Sequence, residues 1–82
     1  MEHIRAHIRL ITNQDAMEFV EALNSDGSVY KYCLENFDGT YRVEARSLLG
    51  VLYFVTEHSN DIYLVNETNP TFIPHKIDKF RV

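Results

Sequence analysis

The sequence predicts a single α+β domain in which two helices cover one face of a small antiparallel sheet. Three observations lead to this class. The spacing of apolar residues changes from alternation to helical spacing and back, the predicted strands are short, and an Asp-Gly turn separates two of them. The predicted order is β-α-β-β-α-β, followed by a short helix. Such elements form a two-layer, open-faced β-sandwich, and 82 residues provide one core, so residues 1–82 are expected to be one domain.

The first strand and the first helix have the clearest patterns. In "HIRAHIRL", residues 3–10, apolar residues alternate strictly with His and Arg, as in a half-buried strand. In "TNQDAMEFVEAL", residues 12–23, the apolar residues recur at helical spacing. Thr12 or Asn13 is expected to cap this helix, Thr12 and Asp15 have the spacing of a capping box, and Gly27 is expected to end it.

The middle of the chain predicts a hairpin and a second helix. The runs "SVYKYCLE", residues 28–35, and "GTYRVEA", residues 39–45, flank Asp38-Gly39, a strong hairpin signal. Residues 48–56 are predicted to be helical with Ser47 as the N-cap. Their β-branched and aromatic content also suits a buried strand, so the pattern leaves that alternative open.

The last part of the chain predicts one more strand and a short helix. "DIYLV", residues 61–65, has strand composition. In residues 70–82, Phe72, Ile73, Ile77 and Phe80 have near-helical spacing, and Pro74 is expected in the first turn.

Composition excludes several classes of function. The net charge of −4 argues against nonspecific nucleic-acid binding, which depends on basic residues. No apolar run is long enough for a membrane span, and no secretory signal pattern is present, so a cytoplasmic protein is expected. Cys33 is the only cysteine and is expected to be an inert packing residue. No cofactor motif is present. His3 and His7 are about 13 Å apart on a strand, too far to chelate one metal ion.

Two segments resemble HPr, the histidine-containing phosphocarrier protein of the bacterial sugar phosphotransferase system. "AMEFVEAL", residues 16–23, resembles the first helix of that family. "DGTYRVEARSLLGVL", residues 38–52, resembles its hairpin turn and the basic-serine-aliphatic start of its second helix. With "NDIYLV" as the last strand, the similarity covers residues 4–66, whereas residues 70–82 differ. The resemblance implies an antiparallel sheet with strand order 1-4-2-3.

The chain departs from the family at the residue that carries the chemistry. In HPr proteins a motif close to Gly-Leu-His-Ala-Arg-Pro opens the first helix, and its histidine carries the phosphoryl group. Counting back from Phe19 and Val20, Thr12 stands at the histidine position, Gln14 at the arginine position and Asp15 at the proline position. An imidazole releases a phosphoryl group readily, whereas a threonine phosphoester has a poor alkoxide leaving group. The chain is therefore expected to lack phosphocarrier activity.

A row of basic and imidazole side chains on the first strand is the main alternative site. His3, Arg5, His7 and Arg9 share one face of this strand. The favoured interpretation is an ordinary solvated strand face. A strip that binds an anion or a partner is the second interpretation, and a relocated phosphoacceptor at His3 or His7 is the third.

The start of the second helix is the expected partner surface. Ser47 is expected to be an N-cap, and the resemblance adds regulatory phosphorylation, since a kinase modifies the matching serine in some bacteria. With Leu48, Leu52 and Val55 taken as the inward side, Leu49 and Tyr53 are left partly outside.

The expected docking surface combines the N-terminal ends of both helices, residues 12–17 and 46–53. Its named members in the second helix region are Arg46, Leu49, Gly50 and Tyr53, and Gly50 is expected to permit close backbone approach. The expected function is that of an HPr-like protein that acts by protein contact, with phosphotransferase-system components as expected partners. Extra core beneath the tail and a homodimer built on the second helix remain alternatives.

Overall fold

The computed structural model describes residues 4–25, 27–58 and 60–82, and it has the predicted order of elements. The elements are β1 (Arg5–Ile8), α1 (Asn13–Asn24), β2 (Tyr32–Glu35), β3 (Arg42–Glu44), α2 (Leu48–Glu57), β4 (Ile62–Asn66) and a 3₁₀ helix (His75–Phe80). The strands form one sheet in the order β1-β4-β2-β3, and all neighbouring pairs are antiparallel. The predicted α+β class, the open-faced sandwich and the strand order are confirmed.

The sheet has one buried face and one open face. In β1, Ala6 and Ile8 are buried against the helices, whereas Arg5 and His7 lie on the open face. His7 pairs with Tyr63 of β4. Strand β1 is four residues long, shorter than the predicted strand, and its ladder with β4 covers those four residues.

Two glycines adopt the left-handed backbone conformation that the sequence predicts. Gly27, which follows α1, has φ +72°, and Gly39, in the β2–β3 turn, has φ +76°. A residue with a Cβ rarely adopts such angles, so glycine suits both positions. The predicted hairpin is therefore confirmed, although β2 and β3 are shorter than the two runs that predicted it.

The second helix is confirmed, but its inward face differs from the expected one. Val51 and Phe54 are fully buried, and Leu52 and Val55 are partly buried against the core. Leu48, expected inside, is 37% exposed. Because nearly every residue of α2 is apolar, the periodicity does not fix its rotation. Phe54, one of the two fully buried residues, is an aromatic residue with a large apolar surface to bury.

The C-terminal segment completes the core and covers the outer edge of β1. Ile77 is fully buried, and the Phe80 ring packs edge-on against Phe19 of α1 with 5.6 Å between ring centroids. Backbone hydrogen bonds join Arg9 N to Phe80 O at 2.8 Å and Val82 N to His7 O at 2.9 Å. The predicted tail helix is present in 3₁₀ form, with Pro74 preceding it as the N-cap rather than lying in its first turn.

Candidate functional site

Thr12, which the resemblance to HPr proteins would align with their phosphohistidine, is a helix cap. Thr12 has an extended backbone, and its Oγ1 accepts a hydrogen bond from Asp15 N at 3.0 Å. The Asp15 carboxylate in turn accepts hydrogen bonds from Ile11 N at 2.9 Å and Thr12 N at 3.2 Å. This is the predicted capping box, and it uses both side chains to satisfy backbone donors at the start of α1.

Gln14, which the same resemblance would align with the family's arginine, also bonds to a local partner. Its Nε2 donates to Glu18 Oε2 at 3.0 Å, one turn further along α1. Glu18 also accepts from Lys79 Nζ at 2.6 Å. These hydrogen bonds and the lysine charge lower the pKa of Glu18 below its usual value. Because the glutamine amide is neutral, Gln14 supplies no positive charge to the start of α1.

A shallow depression of about 350 Å³ lies beside the start of α1. Its lining contains one carboxylate, that of Asp15, and three cations, those of Arg9, Lys79 and Arg81. Arg9 is exposed, and its backbone N donates to Phe80 O of the C-terminal segment, which lies along the edge of β1. The depression contains no histidine among its lining residues.

Within the expected basic strip on β1, Arg5 is paired with an acidic side chain. His3 lies outside the described residues. Arg5 Nε forms an ion pair with Glu35 Oε1 at 3.0 Å, and its Nη2 donates to Asn36 O at 2.7 Å. The Arg5 guanidinium also lies 4.4 Å from the centre of the Tyr63 ring. Arg5 is therefore occupied by neighbouring groups and does not offer a free positive charge.

His7 belongs to an aromatic cluster that the sequence analysis missed. Its ring stacks on Tyr63, with 4.7 Å between centroids and 17° between planes. Phe37, which is 67% exposed in the β2–β3 turn, also packs against Tyr63, with 5.9 Å between the ring centroids. Two signals in the sequence point to this cluster: Tyr63 alternates with buried residues of β4, and an aromatic residue occupies the turn.

The open face of the sheet carries a second, mixed-charge depression of about 300 Å³. Arg42 pairs with Glu35 at 3.1 Å and with Glu67 at 3.4 Å. The thiol of Cys33 donates to the Glu67 carboxylate. Burial raises the pKa of Cys33 to about 11, and the carboxylate of Glu67 adds to this effect. The opposite charges cancel, which leaves this face without the character of an anion site.

We expect Cys33 to react slowly with alkylating reagents. At about pH 8, a thiol with a pKa of about 11 has about 100-fold less thiolate than one with the usual value of 9.0. The pKa is raised, so reactivity should keep rising with pH up to about 11 instead of levelling off near 9.0. Iodoacetamide labelling followed by mass spectrometry measures this. The unfolded chain in urea is the control, and equal rates in both states would contradict the buried, protonated thiol.

The start of α2 is built from two residues that hold the fold together. Ser47 has an extended backbone, and its Oγ accepts a hydrogen bond from Gly50 N at 3.3 Å, as expected of an N-cap. Arg46 differs from the expected surface role. Its guanidinium turns inward and donates to the carbonyl oxygens of Leu23 and Tyr30 and to Ser28 Oγ. Arg46 thus ties three chain segments together rather than facing a partner.

Gly50 has no need to be glycine on steric grounds. An added Cβ would meet nothing closer than Ser47 Oγ at 3.5 Å and Glu44 O at 3.6 Å, which is ordinary contact. The expected close backbone approach is therefore absent among the described neighbours. We expect Gly50→Ala to raise the free energy of unfolding by about 0.5–1 kcal/mol, because alanine favours a helix interior. Urea denaturation measures this change, and destabilisation would show that the backbone at Gly50 is constrained.

The outward side of α2 is apolar. Leu49 is 82% exposed and Tyr53 is 66% exposed, and their spacing of four residues places them on one stripe of the helix. Leu48 lies at the margin of this stripe. We call Leu48, Leu49 and Tyr53 the α2 outer face. An exposed apolar cluster on a small domain is typical of a binding surface.

The N-terminal ends of the two helices do not form one site. Asn24, the last residue of α1, donates from its side chain to Arg46 O at 3.3 Å. The start of α2 therefore lies beside the end of α1, about 18 Å along α1 from Thr12. Met17, which is 49% exposed, lies on the same side of α1 as Asn24 and so faces α2. Residues 12–17 and 46–53 therefore do not form one continuous patch, and Met17 is the member of the first range that lies toward α2.

Comparisons with protein-family models, curated proteins and solved structures return no match. The described residues contain no cluster of His, Cys, Asp or Glu able to hold a metal ion. Within the same ranges, no helix combines the length and the apolar character needed to cross a membrane. The structure is an α+β open-faced sandwich, and one helix of its helical layer exposes an apolar face.

Proposed function

We propose that this protein is an HPr-like domain without phosphocarrier activity and that it acts by binding another protein through the α2 outer face. The observation that carries the proposal is the exposure of Leu49 and Tyr53 on a helix whose opposite side, Val51 and Phe54, is fully buried. Such surface lowers solubility and adds nothing to the core, so a binding partner accounts for its presence.

The resemblance to HPr and the chemistry at the start of α1 support the first half of the proposal. The strand order is the one that the resemblance implies, and the Thr12 hydroxyl is used as a cap. A phosphate on Thr12 would displace that cap and form an ester that does not pass its phosphoryl group onward. Phosphotransferase-system components are the first partners to test.

Phosphoryl transfer by a relocated histidine is the rival proposal. His7 is the histidine on the open face that the structure describes, and its ring is half-buried and stacked on Tyr63. A phosphoryl group on a ring nitrogen would have to be accommodated beside this stack.

Regulatory phosphorylation of Ser47 is a separate proposal, since phosphate at the start of α2 would meet the positive end of the helix.

Site-specific photocrosslinking tests the proposed docking surface. A photoreactive phenylalanine analogue replaces Leu49 in one variant and Phe37 in a matched control, because both side chains are exposed and apolar but lie on opposite sides of the domain. We expect adducts in cells at position 49 and not at position 37. The adduct should disappear when Tyr53→Ser is added.

Two other outcomes have defined meanings. Equal labelling at both positions, or none at position 49, would contradict docking through α2. An adduct of twice the mass of the chain would identify the homodimer instead. Sedimentation of a Leu49→Asp, Tyr53→Lys double variant then decides whether α2 forms that dimer, because the variant should become monomeric.

A further inference from the structure

The chain covers one edge of its sheet and leaves the other edge uncovered. Along the outer edge of β1, Val82 N donates to His7 O at 2.9 Å and Arg9 N donates to Phe80 O at 2.8 Å. The opposite edge is β3, which pairs with β2 on one side. Among the described residues, no strand pairs with the outer side of β3.

The backbone of β3 offers hydrogen-bonding groups at this uncovered edge. Ala45 N donates to Tyr32 O at 3.0 Å, so Ala45 and every second residue before it direct their backbone groups toward β2. The residues between them, Arg42 and Glu44, therefore direct their backbone groups outward. Of these outward groups, Glu44 O accepts from Ser47 N at 3.2 Å, and the others have no partner among the described residues. Groups in this arrangement suit an added strand.

The side chains of β3 alternate between the two faces of the sheet, and the two on the open face have opposite charges. Arg42 bonds through Nε to Glu35 at 3.1 Å and through Nη2 to Glu67 at 3.4 Å. Its Nη1 has no partner within the described ranges, and its side chain is 43% exposed. Glu44, two residues further along the same face, is exposed and forms no ion pair within those ranges. Val43, between them, packs against the core on the helix side.

We propose that two copies of this chain pair through β3, antiparallel and centred on Val43. In this register Arg42 of one copy lies opposite Glu44 of the other, and the two-fold axis repeats the pair. Because both residues direct their backbone groups outward, the same register places backbone donors opposite backbone acceptors. The two four-stranded sheets would then form one continuous sheet.

The neighbouring registers are less favourable for identifiable reasons. A shift of two residues places Arg42 opposite the Arg42 of the other copy, or Glu44 opposite its Glu44, and like charges directly opposite each other are destabilising. A shift of one residue brings Arg42 opposite Val43, whose backbone groups are directed toward β2, so the hydrogen bonds between the copies would be lost. Charge and hydrogen bonding therefore select the same register.

The helix side of the edge adds an apolar contact. The Val43 side chains of the two copies would meet at the axis, and Tyr41, which is 60% exposed, would lie opposite Ala45 of the other copy. With three residues in each strand, the interface is small. We therefore expect weak pairing, with a dissociation constant on the order of 100 µM.

The pairing goes beyond the proposed function and leaves its surface accessible. Leu49 and Tyr53 lie on the side of α2 opposite the buried Val51 and Phe54, whereas the paired edges lie in the plane of the sheet. A dimer would therefore present two α2 outer faces. A partner with two matching sites would be bound with greater avidity by the dimer than by the single chain.

Sedimentation and amide NMR of the full chain, at concentrations from about 10 µM to about 2 mM, test the pairing. We expect the average mass to rise toward that of two chains over this range. The amides of Arg42 and Glu44 should shift with concentration and become protected from hydrogen exchange, because they would form the new backbone hydrogen bonds. Raising the salt concentration should weaken the association.

Charge reversal tests the register. Arg42→Glu gives the open face of β3 two carboxylates and Glu44→Arg gives it two cations, so each variant alone should associate at least about tenfold more weakly. An equimolar mixture of the two should form a heterodimer, because every cross-strand pair then has opposite charges. Glu21→Arg, the matched change of charge at an exposed position of α1, should alter self-association by less than about twofold.

A proline at the edge tests the backbone part of the interaction. Glu44→Pro removes an outward N–H, which edge strands tolerate, and should also weaken self-association by at least about tenfold. Both Glu44→Pro and Glu44→Arg keep the ion pairs of Arg42 with Glu35 and Glu67, and thermal unfolding confirms that each variant is folded.

Four results would overturn the inference. These are a chain that stays monomeric up to about 2 mM, self-association that both charge-reversal variants retain when alone, charge-reversal variants that fail to associate when mixed, and self-association that is lost in the Leu49→Asp, Tyr53→Lys variant. The last would assign the contact to α2. Photocrosslinking of another protein at position 49 reports on docking through α2, so the two proposals can fail separately.

Discussion

Replacing Arg46 by alanine is expected to lower the free energy of unfolding by about 3 kcal/mol, one of the two largest effects of a single substitution that we predict. Its guanidinium donates to Tyr30 O from Nε at 3.1 Å and from Nη2 at 3.0 Å, and to Leu23 O from Nη1. It also lies 4.9 Å from the centre of the Tyr32 ring. Alanine would leave these half-buried carbonyl oxygens without a donor, and α1, α2 and the chain before β2 would lose their common anchor.

The matched control is Arg42→Ala. Like Arg46, Arg42 is an arginine with several polar partners. It forms ion pairs with two carboxylates, but its side chain is 43% exposed on the edge strand β3. Exposed ion pairs contribute little, so this substitution should cost less than about 1 kcal/mol. Arg46→Lys should fall between the two, because an ammonium group lacks the planar fork that reaches several acceptors. Equal effects of Arg46→Ala and Arg42→Ala in urea denaturation would contradict the inward role of Arg46.

Phe54→Ala is expected to lower the free energy of unfolding by about 4 kcal/mol. The ring is 1% exposed and packs in the core beneath α2. Its loss removes the largest apolar contact that holds this helix on the sheet and leaves a cavity. A domain of this size has a total stability of only about 5–10 kcal/mol, so the variant is expected to be close to unfolding at ordinary temperature.

A milder variant and an exposed control make this prediction measurable. Phe54→Leu keeps most of the apolar volume and should cost about 1.5 kcal/mol. Phe37→Ala removes the same side chain from a position that is 67% exposed, and it should cost less than about 1 kcal/mol. Urea denaturation of the three proteins orders them. A small effect of Phe54→Ala would mean that the rotation of α2 described above is wrong.

Periodicity predicted the elements because one face of each is buried. The alternation in β1 and the helical spacing in α1 are both seen in the structure, and the capping box at Thr12 and Asp15 forms as its spacing predicts. These signals are local, so they can be read without knowing which elements meet. The lengths of the strands depend instead on the partner strand, and the sequence overestimated them.

The rotation of α2 was not predictable, because a helix that is apolar on nearly every side has no polar side to mark its surface. The buried side was expected at Leu48, Leu52 and Val55. The structure buries Val51 and Phe54 most deeply. The exposure of Leu49 and Tyr53 was nevertheless predicted, since these two residues fall outside either choice of inward side.

Arg46 and the open face of the sheet show why a site made of distant residues is hard to predict. The acceptors of Arg46 lie 16 to 23 residues away in the chain. Arg5 contacts Glu35 and Asn36. These two residues become its neighbours only through the strand order β1-β4-β2. Arg5, one member of the basic row, is therefore paired with a carboxylate that another strand supplies.

The proposed function requires this scaffold to bind a partner without carrying a phosphoryl group. Incubation of the chain with phosphoenolpyruvate and the kinase that charges HPr tests it most directly, with an authentic HPr in the same reaction as the positive control. Intact-mass spectrometry at alkaline pH, where phosphohistidine survives, is expected to find HPr phosphorylated and this chain unmodified, because its Thr12 hydroxyl is a helix cap. Acid-labile, base-stable phosphate on His7 or His3 of this chain would contradict the claim.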